Sequence, residues 1–239
     1  MLSFIIPAHD EEQHIGRCVA AVIASGKATH QSFEVIVVDD ASTDRTAEIA
    51  ANHGARVVHA TCRQIAAARN AGAREAQGDV LFFVDADTLA NAEAVRSCLR
   101  ELRRGAAGGG CVFTFDGTLP MWARSLYPLT IVLARTFALM GGCFLYCTRR
   151  AFDAVGGFDE RYFAGEDAAF VSALKRHGRF AVPRPTVVTS GRKLRGYSGW
   201  RIVGEAWRWM RSGKKAYQQR EGLELWYGER PIDPFANAK

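Results

Sequence analysis

Two carboxylates separated by a single residue, Asp85 and Asp87, are the side chains in this sequence best placed to do chemistry. They come directly after the apolar run 80–84, whose length and composition predict a buried strand. Open α/β sheets bind ligands at the carboxyl ends of their strands, and carboxylates are rarely buried without a partner. A divalent cation that carries phosphates would be such a partner. The pair therefore indicates metal-assisted chemistry on a nucleotide-linked substrate, with a solvated turn as the alternative interpretation.

The elements that would position these carboxylates alternate between strand and helix through the first half of the chain. Short apolar runs predict strands, and segments with apolar residues at helical spacing, or rich in alanine, predict helices between them. Pro7 is expected to end the first strand, because a proline cannot donate to the ladder. The alternation predicts a mostly parallel sheet with right-handed crossovers. The predicted strands cover residues 2–6, 33–38, 56–59 and 80–84, and the predicted helices cover 11–25, 42–52 and 65–76.

Acidic residues follow three of the predicted strands, at positions 10–12, 39–40 and 85–87. Parallel strands place their carboxyl ends side by side, so these groups would share one edge of the sheet. Each group alone is explained as the cap of the next helix, whereas a shared cluster would need a cation or hydrogen-bond donors. The sequence contains neither G-x-G-x-x-G nor G-x-x-x-x-G-K-[ST], which argues against the usual dinucleotide cradle and P-loop.

The charge of the chain is distributed unevenly. Of its 239 residues, those from 192 to 239 hold 11 Lys and Arg against 5 Asp and Glu, which accounts for the whole net charge of +6. The preceding residues hold equal numbers of each sign. A neutral body with a basic C-terminal segment indicates an anionic partner for that segment: a phosphate-bearing substrate, a membrane surface or nucleic acid.

Three further features bear on location. The first residues show no basic start or small-residue cleavage site, and the six cysteines show no zinc spacing. Both observations predict a cytosolic protein with reduced thiols. The largely apolar stretch 126–147 is long enough to span a bilayer. It contains Pro128, Arg135 and the glycines 141–142, and a central arginine opposes insertion. The stretch is therefore predicted to be core plus a surface helix.

Four sequence blocks in the first half of the chain resemble those of the family-2 glycosyltransferases. They occur in the order and spacing of that family over residues 3–90. The resemblance implies a GT-A fold, which is α/β with a Rossmann-like, mostly parallel central sheet flanked by helices, and a nucleotide-activated sugar as donor. Asp10 is a departure, because the family usually has Asn there. The blocks are IIPAHDEE at 5–12, VVDDASTD at 37–44, ARNAG at 68–72 and FVDAD at 83–87.

The same resemblance implies roles at the donor side. Asp40 would accept a hydrogen bond from the base, which suits the imide N–H of uracil and favours UDP over GDP. Asp85 would approach the ribose. Asp87 would bind the Mn²⁺ or Mg²⁺ that bridges the diphosphate. The residues implied in nucleotide-sugar binding are Pro7, Ala8, His9, Glu11, Asp40, Arg69, Asp85 and Ala86.

A second group of motifs resembles the acceptor side of that family. The sequence GGFDE at 156–160 predicts a turn, and Glu166 and Asp167 precede a helix predicted over 168–177. Acids at the start of a helix are also explained by the helix dipole. The resemblance implies that Asp167 is the general base and Glu166 its positioning neighbour. A single displacement then predicts inversion of the anomeric configuration.

The basic segment 191–239 also contains tryptophan and other apolar residues at helical spacing, from Trp200 to Met210. This pattern predicts a helix that would lie on an anionic membrane surface, bind diphosphate or pack on the catalytic domain. Arg192 and Arg195 are candidates for phosphate contact. The segment lacks Q-x-x-R-W, a motif typical of processive synthases in the family, and this favours transfer of a single sugar.

The prediction as a whole is a metal-dependent hexosyltransferase with a GT-A catalytic domain over 1–190 and a helical extension over 191–239. Within the domain, 1–90 would bind the donor and 91–190 the acceptor. The protein would be cytoplasmic, with peripheral contact to the inner membrane face through 191–227. The acceptor stays open among a lipid carrier, a glycan and a small molecule. The alternative is a non-enzymatic membrane-surface or nucleic-acid module, but the neutral, motif-bearing body argues against nucleic acid.

Overall fold

The computed structural model describes residues 1–137 and 142–196 and the single residues 204, 218 and 223 as an α/β structure. Its strands are β1 (Leu2–Ala8), β2 (Phe33–Asp40), β3 (Arg56–Ala60), β4 (Val80–Val84), β5 (Thr88–Leu89), β6 (Gly108–Gly110), β7 (Phe113–Phe115), β8 (Phe144–Thr148), β9 (Phe180–Ala181) and β10 (Val187–Thr189). Its helices are α1 (Ile15–Lys27), α2 (Thr46–Asn52), α3 (Ile65–Glu75), α4 (Ala92–Arg103), α5 (Met121–Phe137), α6 (Arg149–Val155), α7 (Glu166–His177) and α8 (Arg192–Gly196).

The main sheet over these residues has the strand order β3-β2-β1-β4-β8-β6-β9. β1, β2, β3 and β4 are parallel, as the alternation of strands and helices predicts. β8 runs antiparallel to both of its neighbours, and β9 is again parallel to β6. The expected α/β class with a mostly parallel central sheet is therefore confirmed.

The core covers both faces of this sheet, because successive side chains of a strand point to opposite sides. Phe82 stacks on Phe4 on one face, with ring centroids 4.8 Å apart. Phe83, on the other face, meets Phe158 edge-on at 4.9 Å. Strands buried on both faces consist of near-continuous apolar residues, which is why the sequence of β4 shows no alternation.

The register brings the carboxyl ends of β1, β2 and β4 to a common edge. Ile5 lies opposite Ile36 on one side and Phe83 on the other. The residues that follow these strands, including Asp40 and Asp85, are therefore neighbours at that edge, as predicted. We call it the nucleotide edge and define it by residues 8–12, 39–42, 61–64 and 85–87.

Pro7 does not end the first strand, contrary to the prediction. β1 continues to Ala8, and Pro7 lies opposite Val38 of β2. The pairing of β1 with β4 ends at Ile5, so on that side there is no ladder left for a proline to interrupt.

The first two helices begin later than predicted, α1 at Ile15 and α2 at Thr46. The amides of Glu11 and Glu12 donate to Thr46 Oγ1 at 2.7 Å and to Asp44 Oδ2 at 3.0 Å. Residues 11–12 and Asp44, which were expected to lie at the starts of the two helices, thus connect the segment after β1 to the segment that leads into α2. This pairing spans more than 30 residues, which explains why local capping rules did not find it.

The apolar stretch 126–147 divides between α5 and β8 in the structure, with residues 138–141 outside the described part. No helix in the described ranges is long and apolar enough to cross a membrane. Apart from Gly204, the helix predicted through Trp200 and Met210 also lies outside the described residues. The boundary between residues 1–190 and 191–239 therefore stays a prediction.

A small second sheet, in the order β5-β10-β7, completes the region that holds the site. β5 follows Asp87 directly, and Thr189 of β10 pairs with Thr88 of β5. The chain then enters α8, so this sheet brings Arg192 back to the carboxylates that follow β4. The contact between Arg192 and Asp87, which are more than a hundred positions apart in the sequence, depends on the pairing of two very short strands, β5 and β10.

Candidate active site

Asp85 and Asp87 lie at the end of β4, where the sequence places them. The amide of Asp85 donates to the carbonyl oxygen of Cys143 at 3.0 Å, and its own carbonyl accepts from the Thr88 amide at 2.9 Å. The side chain of Asp87 accepts a hydrogen bond from Thr189 Oγ1 at 3.3 Å. These contacts fix the backbone of the loop, so the two carboxylates have defined directions without a ligand.

Arg69, on α3, is the centre of the site. Its side chain is 1% exposed, and its two terminal nitrogens donate to Asp85 Oδ1 and Glu166 Oε1, each at 2.8 Å. Its guanidinium carbon lies 5.1 Å from the centre of the Phe158 ring. Because the fork of an arginine is planar and rigid, Arg69 holds the loop after β4 and the start of α7 in fixed relation.

Asp167 lies beside this arginine. A Cβ placed on Gly142 would lie 2.9 Å from both Arg69 Nη2 and the Cβ of Asp167, so the absence of a side chain at Gly142 lets the two approach. Asp167 Oδ1 accepts from the amide of Ala168 at 2.7 Å. Glu166 is buried, whereas Asp167 is partly exposed. The structure therefore brings the predicted base and the predicted positioning residue to the same network as Asp85.

Arg192 joins the site from α8. Its guanidinium makes a two-armed ion pair with Glu11, at 2.9 and 2.7 Å, and lies 3.1 Å from Asp87 Oδ2. Both Arg192 and Glu11 are buried. Arg195 donates to the carbonyl and the side chain of Asp116. Of the two arginines predicted to contact phosphate, Arg192 thus lies beside Asp87 and Arg195 beside Asp116.

The other end of the nucleotide edge is built around Asp40. Its two carboxylate oxygens accept the amides of Arg63 and Gln64, at 2.8 and 2.9 Å. His9 Nδ1 lies 2.9 Å from the carbonyl oxygen of Asp40, and the Arg63 side chain contacts the His9 ring. Asp40 and His9 thus lie together, as predicted, and the loop that carries Arg63 closes over them.

The backbone of this edge is strained. Asp10, Ala41 and Arg63 have positive φ angles of 50°, 56° and 49°, a region that costs a residue with a side chain on the order of 1–2 kcal/mol. Such strain persists where surrounding contacts over-determine the conformation, and it is concentrated at functional sites. Here the contacts are the loop-to-loop hydrogen bonds of residues 10–12.

The carboxylates of the site, Asp85, Asp87, Glu166 and Asp167, lie within reach of the charges of Arg69, Arg192 and Lys193. Burial raises the pKa of Asp85, against the opposing charge of Arg69. Burial also raises the pKa of Glu166, with Arg69 opposing and Asp167 adding to the effect. The pKa of the Cys18 thiol is raised by burial and then by the negative charges of Asp87 and Asp85. A neighbouring group therefore feels a net negative field from this loop, which favours a cation.

Comparison with known proteins agrees with this geometry. The family model described as glycosyl transferase family 2 matches residues 3–157, which is more than half of the chain. The chain belongs to glycosyltransferase family 2. The family predicted from the four sequence blocks is thus confirmed, and the match includes the nucleotide edge and Arg69 but ends before Glu166 and Asp167.

The curated relatives that the chain matches are longer than the chain itself. The chain is 27% identical over 190 residues to a chondroitin synthase of Escherichia coli, a match that covers 75% of this chain and 27% of the relative. It is 30% identical over 129 residues to a validoxylamine A glucosyltransferase of Streptomyces hygroscopicus subsp. limoneus, covering 50% of this chain and 28% of the relative. The chain thus spans about a quarter of the length of these two relatives.

Solved structures share the fold. TarS of S. aureus (residues 1–349) matches 80% of this chain and 61% of its own, with a TM-score of 0.63 and 21% identity. The mannosyltransferase PcManGT of Pyrobaculum calidifontis, solved with GDP-Man and Mn²⁺, matches 87% of this chain and 64% of its own, with a TM-score of 0.68 and 23% identity. At these identities the likeness shows the fold.

The donor atoms at Asp85 and Asp87 fit a divalent cation that is shared with a substrate. Within the described ranges, no group of three or more His, Cys, Asp or Glu side chains is arranged to enclose a metal. Mg²⁺ and Mn²⁺ sites that act on phosphates use one or two carboxylates, and substrate oxygens complete the coordination. Hard oxygen donors in a negative field satisfy that requirement, so the residues fit such a metal.

Some residues of the site were not found from the sequence. Thr189 contacts Asp87 through the second sheet, and Arg63 closes the loop over His9 and Asp40. No motif marks either one, since both act through contacts that join distant segments. Gly142 was predicted to interrupt an apolar stretch and to precede a strand, which is β8 in the structure, but not to lie against Arg69 and Asp167. Its signal could have been read, because a glycine before a strand often marks a close approach of backbone to another group.

Proposed function

We propose that this chain transfers a sugar from a nucleoside-diphospho-sugar, with UDP as the favoured nucleotide, to an acceptor hydroxyl with inversion at the anomeric carbon. The observation that carries the proposal is the bridge made by Arg69 between Asp85 and Glu166, with Asp167 next to it. The bridge joins the residues implied in donor binding to those implied in acceptor activation. Family membership supplies the reaction class.

The donor would bind along the nucleotide edge. Asp40 is buried and held by two backbone amides, and each carboxylate oxygen retains a lone pair that can accept the imide N–H of uracil. His9 lies next to it, and His9 and Pro7, which is opposite Val38 in the neighbouring strand, would line the base. UDP is favoured on this chemistry, and among the fold relatives one structure contains UDP and another contains GDP-Man.

Asp87 would hold the metal, with Asp85 beside it. When bound, a divalent cation would stabilise the negative charge of the departing diphosphate. In the structure the Arg192 guanidinium lies 3.1 Å from Asp87 Oδ2 and offsets part of the charge of that carboxylate. Its guanidinium is also the group in the site best suited to a diphosphate. Arg192 would thus pass from Asp87 to a phosphate oxygen while it keeps its ion pair with Glu11.

Asp167 would act as the general base. Its carboxylate would accept the proton of the acceptor hydroxyl while that oxygen forms a bond to the anomeric carbon and the bond to the diphosphate breaks. Glu166, fixed by Arg69, would hold Asp167 and the start of α7 in place. Because Asp167 is partly exposed and Glu166 is buried, Asp167 is the one of the pair that an acceptor can reach.

The experiment that tests this function is calorimetric titration of the protein with UDP and with GDP, each with and without Mn²⁺. Asp87→Ala removes the predicted metal ligand, and Asp153→Ala, an exposed acid on α6, is the matched control. We expect binding of UDP that depends on Mn²⁺, is lost in Asp87→Ala and is retained in Asp153→Ala.

Stronger binding of GDP than of UDP would change the proposed nucleotide to GDP and would leave the proposed binding site unchanged. Absence of binding by either nucleotide with Mn²⁺ or Mg²⁺ present would contradict the proposed function. Equal binding by Asp87→Ala and the natural chain would contradict the metal assignment. A product that retains the anomeric configuration of its donor would rule out the single displacement.

A further inference from the structure

The outer face of α5 is apolar and exposed. Leu126, Leu129 and Val132 are 53%, 57% and 59% exposed, and Met121 and Leu133 are exposed as well. At 3.6 residues per turn these positions fall on one side of the helix. The exposed Ser125 and Thr136 lie on the same side, but no charged residue does. Surface helices of globular proteins usually place charged and polar residues there, so this face departs from the usual pattern. We call it the α5 outer face and define it by residues 121, 126, 129, 132 and 133.

The opposite side of the helix faces the protein. Ala123 is buried, Ile131 and Ala134 pack against the core, and the ring of Tyr127 lies 5.5 Å from that of Phe115 in β7. The helix therefore packs against the core with a different set of residues, and the apolar residues of the outer face are additional to that set. α5 is held against the domain by one side and presents a second apolar side outward.

The charges near this face have one sign. The sequence contains no Asp or Glu between Asp116 and Asp153, and within that segment Arg124 and Arg135 are exposed on α5. Both arginines lie along one edge of the outer face, and Arg135 also donates a hydrogen bond to the carbonyl oxygen of Arg184 at 2.7 Å. Leucine, valine and methionine with flanking arginines form the pattern of a helix that lies in the interface of an anionic membrane.

We propose that the α5 outer face binds the surface of an anionic lipid bilayer, with its apolar side chains in the headgroup and acyl boundary and with Arg124 and Arg135 at the phosphate level. Charge complementarity favours lipid over a second copy of this chain. A symmetric contact between two copies would bring the same patch together from both sides. That contact would collect four arginines with no acid from α5 to pair them.

The position of α5 gives this contact a consequence for the site. The loop before α5 carries Asp116, which accepts hydrogen bonds from Arg195 and from the amide of Gly191. Arg195 and Arg192 both belong to α8, and Arg192 contacts Asp87. A bilayer bound to α5 would therefore lie next to the segment that places Arg192. Binding to lipid needs neither donor nor metal, so the inference stands independently of the proposed function.

The test is sedimentation of the full chain with vesicles of phosphatidylcholine alone and with phosphatidylglycerol added, at low and high salt. Leu129→Asp/Val132→Asp disrupts the face at two exposed positions, and Ala20→Asp/Ala51→Asp adds the same charge at exposed positions of α1 and α2. We expect salt-sensitive binding to the anionic vesicles. The α5 variant should reduce it about tenfold or more, and the control variant should change it by less than about twofold.

Two results would overturn the proposal. The first is absence of binding to anionic vesicles by the natural chain. The second is undiminished binding by the α5 variant, which would assign the contact to another segment, such as residues 191–227. Light scattering on the natural chain and the variants in the absence of vesicles measures the oligomeric state. A dimer that dissociates in the α5 variant, together with absence of vesicle binding, would assign the face to a second copy instead. Circular dichroism verifies that both variants fold.

Discussion

The nucleotide edge and α5 differ in whether their side chains have partners within the chain. The carboxylates of the edge are paired within the chain by arginines from two helices: Arg69 of α3 pairs with Asp85 and with Glu166 of α7, and Arg192 of α8 pairs with Glu11. On α5, apolar side chains such as Leu129 are left to solvent. The edge is organised before any ligand arrives, whereas the α5 outer face has no partner within the described residues. Within the described residues, the chain pairs the charges of the site internally and leaves the α5 outer face uncovered.

This difference has a physical reason. A charged site that waits for a ligand must be held in one geometry, because unpaired buried charges would rearrange or take up protons. An apolar face has no such constraint, since the hydrophobic effect is not directional. The two regions are accordingly sensitive to different changes. Replacing a single polar or charged atom should alter the function of the edge, whereas the contribution of α5 should depend on its total exposed apolar area.

The largest effect is expected at Asp167. Asp167→Asn keeps the size of the side chain and its hydrogen bond from the Ala168 amide, but removes the group that would accept a proton. Because general-base catalysis contributes about 10²–10⁴-fold, we expect kcat to fall by that factor. Affinity for the nucleotide should stay within about twofold, because Asp167 makes no proposed contact with it.

The measurement is initial-rate kinetics of sugar transfer, with nucleotide affinity determined separately by calorimetry. Asp153→Asn, an exposed acid on α6, is the matched control. If Asp167→Asn kept the rate of the natural chain, Asp167 would not be the base. If the variant lost nucleotide affinity as well, the separation of the donor and acceptor sides at Arg69 would be wrong.

The next largest effect is expected on folding stability at Arg69. Burial lowers the pKa of its guanidinium, but the ion pairs with Asp85 and Glu166 outweigh burial and hold that pKa above its ordinary value. Arg69→Met would leave the buried Glu166 and the partly buried Asp85 without this cation. Breaking a buried ion pair from one side costs about 3–5 kcal/mol, so the free energy of unfolding should fall by about that amount.

Arg56 provides the comparison, because it pairs with Glu34 and Glu75 at the surface. Arg56→Met should cost about 0–1 kcal/mol. Urea denaturation measures both variants. Arg69→Lys keeps a charge but not the two-armed geometry and should lie between the other two, which preserves the test if Arg69→Met does not fold. Equal losses at Arg69 and Arg56 would show that the network does not organise the edge.

How far the sequence predicts the molecule depends on the range of the interactions involved. The sheet edge that carries Asp40, Asp85 and Asp87 was predicted, because strand periodicity and the turn after a strand are local signals. The two-armed pair of Glu11 and Arg192 was not, since the partners are 181 positions apart. Each was noted only for a ligand contact. What joins them is the small second sheet, whose strands of two or three residues carry almost no sequence signal.

The same limit applied to the burial of Arg69. α3 is rich in alanine, and its pattern predicts a helix without showing which face is covered. Only the meeting of β4, α7 and Gly142 around that face makes Arg69 the centre of the site. For α5, the exposed face rather than the buried face was missing from the prediction. The sequence showed an apolar segment interrupted by Pro128 and Arg135, from which a surface helix followed, but exposure of its apolar side became evident only from the structure.

The smallest predicted effect concerns the strain of the nucleotide edge. Ala41 has a φ angle of 56°, which costs a residue with a Cβ roughly 1–2 kcal/mol and costs glycine little. Ala41→Gly also makes the unfolded chain more flexible, which offsets about 0.4–1 kcal/mol of that gain. We therefore expect a net stabilisation of about 0.5–1 kcal/mol. Ala47→Gly, within α2, should instead destabilise by about 0.5–1 kcal/mol, and thermal unfolding distinguishes the two. Equal destabilisation by both substitutions would mean that the edge stores no strain at Ala41, and its geometry would then be attributed to the ion pairs and loop hydrogen bonds alone.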